Sequence, residues 1–265
     1  MKISPIPAQI WQNQALGLTL LLVVSTALSS CSAPAKSVND QAKVDPQLEK
    51  QVLEIIRKNP QAIIESVQAY QEQQQENLKA EREKFITTMK TDPSKSIGDS
   101  PWMGSPDKKI VLLEFSDFQC PFCARAHKTT KEFMAKYKDK VTLAYKHLPL
   151  TDIHPEALPA ARASWAAHQQ GKFWEYHDAL FEQQAKLGED LYISIAKKLG
   201  LDLDKFNKDR ASDAALKAIE KDTEIASNLG ITGTPFFLMN GESFSGAVDI
   251  TAMEKILSRV SGATK

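Results

Sequence analysis

Two cysteines stand two residues apart in the stretch FSDFQCPFCARA, residues 115–126: Cys120 and Cys123, with Pro121 and Phe122 between them. Thiols at this spacing support three kinds of chemistry. They can cycle between dithiol and disulfide, supply half of a metal site, or close a structural staple. The third cysteine, Cys31, lies far away in sequence and in different surroundings, so a framework of several disulfides is excluded. His127 follows Cys123 by four residues, on the same face of a helix. With both cysteines and either His147 or His154 it would complete a zinc set. Such a site needs four committed ligands, and Pro121 stiffens the loop, so no metal is expected.

The elements that must position the pair are legible on either side. KKIVLLEFSDF, residues 108–118, is a continuous apolar run of strand length, the mark of a strand buried on both faces. It leads directly into Cys120. The following CPFCARAHKTTKEFMAKY reads as a helix whose buried face continues through Phe133 and Tyr137, and KVTLAYKHLPL reads as a second strand. Strand, helix, strand implies a right-handed crossover and a parallel sheet, hence an α/β fold. Cys120 then sits at a helix start, where unpaired N–H groups and the macrodipole favour an anion. Its thiol should be more acidic than the free value of about 8.5. Pro121 suits the first helical turn. Cys123 falls one turn inside, more buried and protonated to higher pH. A stabilised thiolate favours the reduced pair and makes the disulfide a stronger oxidant.

Glu114 is unexpected inside this apolar run, because a buried charge without a partner is unfavourable. Either it reaches solvent at the strand end, or burial raises its pKa and equips it to exchange a proton with Cys123. Asp117, nearer the loop, is expected to be solvated or to cap. Further on, Pro235 opens PFFLMNGESFSG, a strand, an Asn240–Gly241 turn and a second strand. Proline is accepted in a strand only at its first position or on an edge. Trp165, Phe173, Trp174, Tyr176 and Phe181 fall at helical spacings and read as the core of a helical region.

EFSDFQCPFC together with GTPFFLMNG resembles the DsbA-like thiol oxidoreductases of the thioredoxin fold. Residues 146–184 also resemble that group, whose helical domain is inserted between strands of the core. The likeness spans about 110–260. It implies a thioredoxin-like fold with an inserted helical domain and no cofactor beyond a redox-active Cys120–Cys123 disulfide. It further implies a cis Thr234–Pro235 bond packed against the pair. Pro121, Phe122, Thr234 and Pro235 would line the client groove, with the Thr234 backbone pairing to an extended substrate strand. Glu114 takes the position of the family's buried acid. The implied partners are client proteins with cysteine thiols and a quinone-linked membrane oxidase that restores the disulfide.

Residues 1–30 read as a signal peptide: Lys2, then the short apolar stretch ALGLTLLLVVSTAL, too short for a comfortable membrane span. The terminal LSSC resembles a bacterial lipobox, which would make Cys31 a lipidated anchor in an extracytoplasmic or periplasmic envelope setting. The alternatives are ordinary cleavage or an uncleaved signal anchor. Residues 31–44 read as a flexible tether, 45–91 as an N-terminal helical stalk, 92–107 as a linker rich in breakers, and 108–265 as the catalytic domain, with the insertion over about 151–229. The stalk's apolar stripes fit a surface helix or a homo-oligomer seam. Lys+Arg equals Asp+Glu with no basic block, which argues against a nucleic-acid partner. The reading from sequence is an exported oxidase; its rivals are an oligomeric isomerase or reductase and a non-enzymatic peptide- or metal-binding lipoprotein.

Overall fold

The computed structural model describes residues 45–262, so Cys31 and the signal-like segment lie outside the described residues. Helix α1 (Pro46–Lys58) forms one unit and everything from Asn59 onward a second. In α1 an acid opens the first turn (Glu49) and bases close the last (Arg57, Lys58), signs that suit the helix dipole. Leu48, Val52, Leu53, Ile55 and Ile56 of α1 are all exposed. Among the described residues no helix is long and apolar enough to cross a membrane.

In the second unit, α2 (Pro60–Thr91) starts with proline in its first turn, where the missing N–H removes no helical bond. Its early apolar residues Ile63, Ile64, Val67 and Tyr70 are exposed, while Met89 near its end is fully buried. Residues 92–107, expected as a linker, are instead part of the folded domain. A 3-10 turn (Pro93–Ser96) buries Pro93 and Ser96, and β1 (Trp102–Gly104) pairs antiparallel with β3 (Thr142–His147). A three-residue edge strand is too short to carry a periodic signal, and its Pro/Gly/Ser neighbours read as breakers. Gly104 makes the pairing possible: at φ 97 it lies so close to β3 that a Cβ there would fall 2.3 Å from the Val141 carbonyl oxygen.

The sheet order is β1-β3-β2-β4-β5, with β2 (Val111–Ser116) at the centre. α3 (Pro121–Tyr137) joins β2 to the parallel β3. β4 (Phe236–Met239) lies antiparallel to β2, and β5 (Glu242–Ser245) to β4, across a turn in which Asn240 and Gly241 take φ 45 and 90. Every residue of β2 and β3 is buried, as a strand covered on both faces requires. Val111, Leu113, Phe115 and Leu238 pack on one face with Met89 of α2 and Ala226 of α8 (Asp213–Asn228). Leu112, Leu143 and Phe237 pack on the other with Phe133 of α3 and Met253 of α9 (Ile250–Val260).

Helices α4 (Ala157–His168), α5 (Phe173–Glu182), α6 (Glu189–Lys198), α7 (Leu203–Ala211) and α8 separate β3 from β4. Side chains of Asp202, Ser212 and Asp249 accept the N–H groups that cap α7, α8 and α9. Phe173, Tyr176, Leu180, Tyr192 and Phe206 of the insertion share a core with Phe118, Cys120, Cys123 and Tyr145. The cysteines therefore sit where the insertion meets the sheet. On β3, Lys146 is buried with its ammonium 3.1 Å from Asp222 of α8 and 3.1 Å from the Ile97 carbonyl oxygen. Asp222 also accepts the His147 N–H at 3.0 Å.

Candidate active site

Cys120 is the N-cap of α3, extended at φ −70 and ψ 122, and Pro121 begins the helix. Its carbonyl accepts the N–H groups of Cys123 (3.0 Å) and Ala124 (3.2 Å), and its thiol donates to the Thr234 carbonyl at 3.5 Å. The Thr234–Pro235 peptide is cis, and Pro235 is buried. Both cysteines are free thiols; Cys120 is 4% exposed and Cys123 0%. The Cys123 thiol beside it draws the Cys120 thiol down from the ordinary range to about 5. Burial opposes this, and Thr234 and the N–H groups at the helix start assist it. Burial, and then the neighbouring Cys120, push the Cys123 thiol far above its usual value. Adjacent sulfurs are thus driven apart: one reactive thiolate and one retained proton. Alkylation of the reduced chain by iodoacetamide is expected to follow an ionisation near pH 5, as the Cys120 acidity dictates, with Cys123 left unmodified. A profile governed by an ordinary thiol near 8.5 would contradict this arrangement.

On β2, Glu114 is 1% exposed, and its Oε1 has no hydrogen-bond partner. It stands in register with Tyr145 on β3 and Phe237 on β4. Burial raises its carboxyl to about 7, against the opposing charge of His127 and the Ser116 hydroxyl. At that value it can both take and give a proton near neutrality. Ser116, two residues on and facing the same side, is also near enough to act on the Cys123 thiol. Phe122 is 51% exposed at the rim, with the Arg125 guanidinium 4.5 Å over its ring.

Of the two expectations for Asp117, solvation and capping, the structure departs from the first and shows backbone N–H groups received by its side chain. It is buried, and its carboxylate accepts the Gln119 N–H (2.8 Å) and the Leu150 N–H (3.0 Å) and bonds His154 at 2.7 Å. The loop that carries it folds back under the β3–α4 connection, which a strand-end position does not reveal. His154 is thereby committed to Asp117, not to the cysteines. His127 is paired with residues that the sequence did not single out. Its Nε2 lies 2.9 Å from Asp178 on α5, whose same oxygen is 3.1 Å from His177 Nδ1. The dipeptide His177-Asp178 sits in an aromatic run, and only the folded insertion brings it to His127, 51 positions earlier.

A helix-capping dithiol faces the loop opening β4 in a five-stranded mixed sheet, and the comparisons agree with that architecture. A thioredoxin family model matches residues 96–259, and the chain belongs to the thioredoxin family. A thioredoxin-like oxidoreductase of Silicibacter pomeroyi is 29% identical with a TM-score of 0.58, over 63% of this chain and 95% of that one. Proteus mirabilis ScsC, in a transitional conformation, is 23% identical with a TM-score of 0.59, over 84% and 99%. Among curated proteins, the Na(+)/H(+) antiporter NhaA 3 of Salinispora tropica is 37% identical over 150 residues, 57% of this chain and 23% of the antiporter. The chain thus spans about a quarter of the length of the curated relatives it matches.

Proposed function

We propose that the chain is an exported thiol–disulfide oxidoreductase that forms disulfides in client proteins through Cys120 and Cys123. The observation that carries this reading is the Cys120 thiol at the N-cap of α3, one turn from a fully buried Cys123 and 3.5 Å from the Thr234 carbonyl. In the oxidising direction a client thiolate attacks the Cys120 sulfur, and the Cys120–Cys123 bond breaks. Cys123 leaves with the electron pair and takes a proton from Glu114. A second client thiolate then attacks the client's own sulfur and releases Cys120 as a stable thiolate. The client gains a disulfide and the pair is left reduced, so a quinone-linked oxidase in the membrane must reoxidise it. Pro121, Phe122 and Pro235 frame the groove, and the Thr234 backbone receives the client as an added strand. Cys31 holds the chain to an envelope membrane by its lipid.

A Cys123→Ala variant tests the reading. It should accumulate mixed disulfides with client proteins through Cys120, visible as reductant-sensitive bands on gels, while Cys120→Ala traps none. Absence of trapping in both variants would leave a peptide-binding module. A second reading, an isomerase or reductase assembled through its N-terminal helices, is favoured by the exposed apolar residues of α1 and of the first half of α2. That reading requires a pair resting reduced in the cell and an oligomer in sedimentation; the oxidase requires a pair resting oxidised.

A further inference from the structure

Residues 117–120 form the loop that leads into α3 and carries the reactive sulfur. Side chains tie this loop to the β3–α4 connection and the helical insertion. The Asp117 carboxylate receives the Leu150 N–H and bonds His154, and Oε1 of Gln119 accepts the Glu156 N–H at 2.6 Å. The Glu156 carboxylate in turn accepts the Tyr192 hydroxyl of α6 at 2.7 Å. The Phe118 ring packs against Phe181 of α5, centroids 5.0 Å apart. Cys120, the residue that reacts, is reached by Gln184, which opens the 3-10 turn Gln184–Lys186 after α5.

The Gln184 amide nitrogen donates to the Phe118 carbonyl at 2.8 Å and to the Cys120 carbonyl at 2.9 Å. Both partners are oxygens that only accept, so the nitrogen end of the amide must face them, and both of its hydrogens are engaged. The Cys120 carbonyl also receives the N–H groups of Cys123 and Ala124, the bonds that begin α3. Among the described residues no backbone N–H meets the Phe118 carbonyl, so there Gln184 supplies a donor that the backbone does not. The turn that carries Gln184 is itself anchored. Phe181 before it is 5% exposed, and Leu187 after it packs on the same core. A donor anchored on both sides bridges the backbone from Phe118 to Cys120. From that backbone the sulfur extends to the Thr234 carbonyl at 3.5 Å.

We propose that Gln184 is a positioning residue for the redox reaction: by bridging two carbonyls of the loop it sets the Cys120 backbone, and through it the direction in which the Cys120 sulfur meets client and Cys123. Displacement at that sulfur needs the attacking sulfur, Cys120 and the departing Cys123 in line, and reacting groups held in line react faster. Cys123 is fixed inside α3, so the alignment depends on where the Cys120 backbone stands. Gln184 acts on that backbone alone, and the electron pair moves only between sulfurs, as above. The helical insertion thereby serves the chemistry without lending it a reacting group.

This inference rests on the redox reading above, and one experiment separates the two. The full chain in its oxidised form is mixed rapidly with a two-cysteine peptide from pH 5 to 8, and peptide oxidation is followed up to saturating peptide. Oxidation by the unaltered chain tests the redox reading, and its absence overturns both. Gln184→Met keeps the length and loses the donors. It should react about tenfold slower at saturating peptide, within the roughly 10²-fold that a misplacement of about 1 Å can cost. Gln184→Glu keeps the shape and makes donation depend on pH. Its carboxylate only accepts, whereas the protonated acid offers one O–H to the carbonyls. Those carbonyls favour the protonated form, which lifts its titration into this range. Its rate relative to the unaltered chain should therefore climb as the pH falls, while the ratio for Gln184→Met stays level. Gln184→Asn, too short to span both carbonyls, should show a smaller loss, and serves if Gln184→Met folds poorly. Variants that lose only urea stability, with unchanged rates and a level Gln184→Glu ratio, would overturn the proposal. A loss seen only below saturating peptide would make Gln184 a client contact and would overturn it as well.

Discussion

Replacing Asp222 by alanine is expected to remove about 3–5 kcal/mol of stability, the usual consequence of leaving one partner of a buried ion pair behind. Lys146 would keep its ammonium in the interior with only the Ile97 carbonyl at 3.1 Å to receive it. The His147 N–H, which donates to Asp222 at 3.0 Å, would lose its acceptor as well. The effect reaches the site through β3, because His147 lies in register with Ser116 and Tyr145 with Glu114. Urea unfolding of the variant measures the loss. The double variant Lys146→Met, Asp222→Leu should recover most of it, since apolar packing replaces a buried pair at little net change. A single-variant loss below about 1 kcal/mol, the size of an exposed pair, would mean that water reaches Lys146.

Glu114→Gln is expected to remove the loss of stability that this carboxyl causes as the pH rises from acid to neutral. The folded carboxyl titrates at about 7 and its ordinary value is 4.5, so between these limits the folded chain holds the proton more tightly than the unfolded chain. Its stabilising contribution is whole below 4.5 and is lost as the pH rises through 7. At about 1.4 kcal/mol per pH unit the full swing is on the order of 3 kcal/mol. The amide cannot ionise, so the variant should match the parent at pH 4 and exceed it by about 3 kcal/mol at pH 8. Cys120 contributes with the opposite sign in the reduced chain, because its folded value is depressed to about 5. Comparing variant and parent in the same redox state cancels that contribution. Activity should fall while stability rises if, as proposed, Glu114 supplies the proton that Cys123 takes up. Parallel stability curves across this range would show a carboxyl in water.

The parts of this fold that were legible in the sequence are those whose physics is local. A parallel strand covered on both faces must be apolar throughout, so β2 announced itself, and Glu114 stood out against it. Asn240–Gly241 marked the β4–β5 turn because few other residues accept two successive positive φ values. Pro121 after Cys120 marked the helix start for a similar reason. What escaped depends on distant pairings. β1 exists because Gly104 tolerates a close approach to Val141. Asp117 is buried because its acceptors meet N–H groups from the β3–α4 connection. Lys146 looked like an ordinary charge in a strand until α8 supplied Asp222. The His127–Asp178 pair likewise required the insertion to fold back on α3.

The carbonyl that meets the reactive sulfur is contributed by Thr234, 114 positions further along the chain. The Cys123 thiol and the N–H groups at the start of α3 need only that helix, whereas the contribution of Thr234 is missing from a partly made chain. Only when β4 docks beside β2, closing a long loop of intervening helices, is the reactive surrounding of Cys120 complete, and such distant closures are slow to form. The last part of the Cys120 surrounding is thus supplied from 114 positions away, so the finished site and the finished sheet arise together.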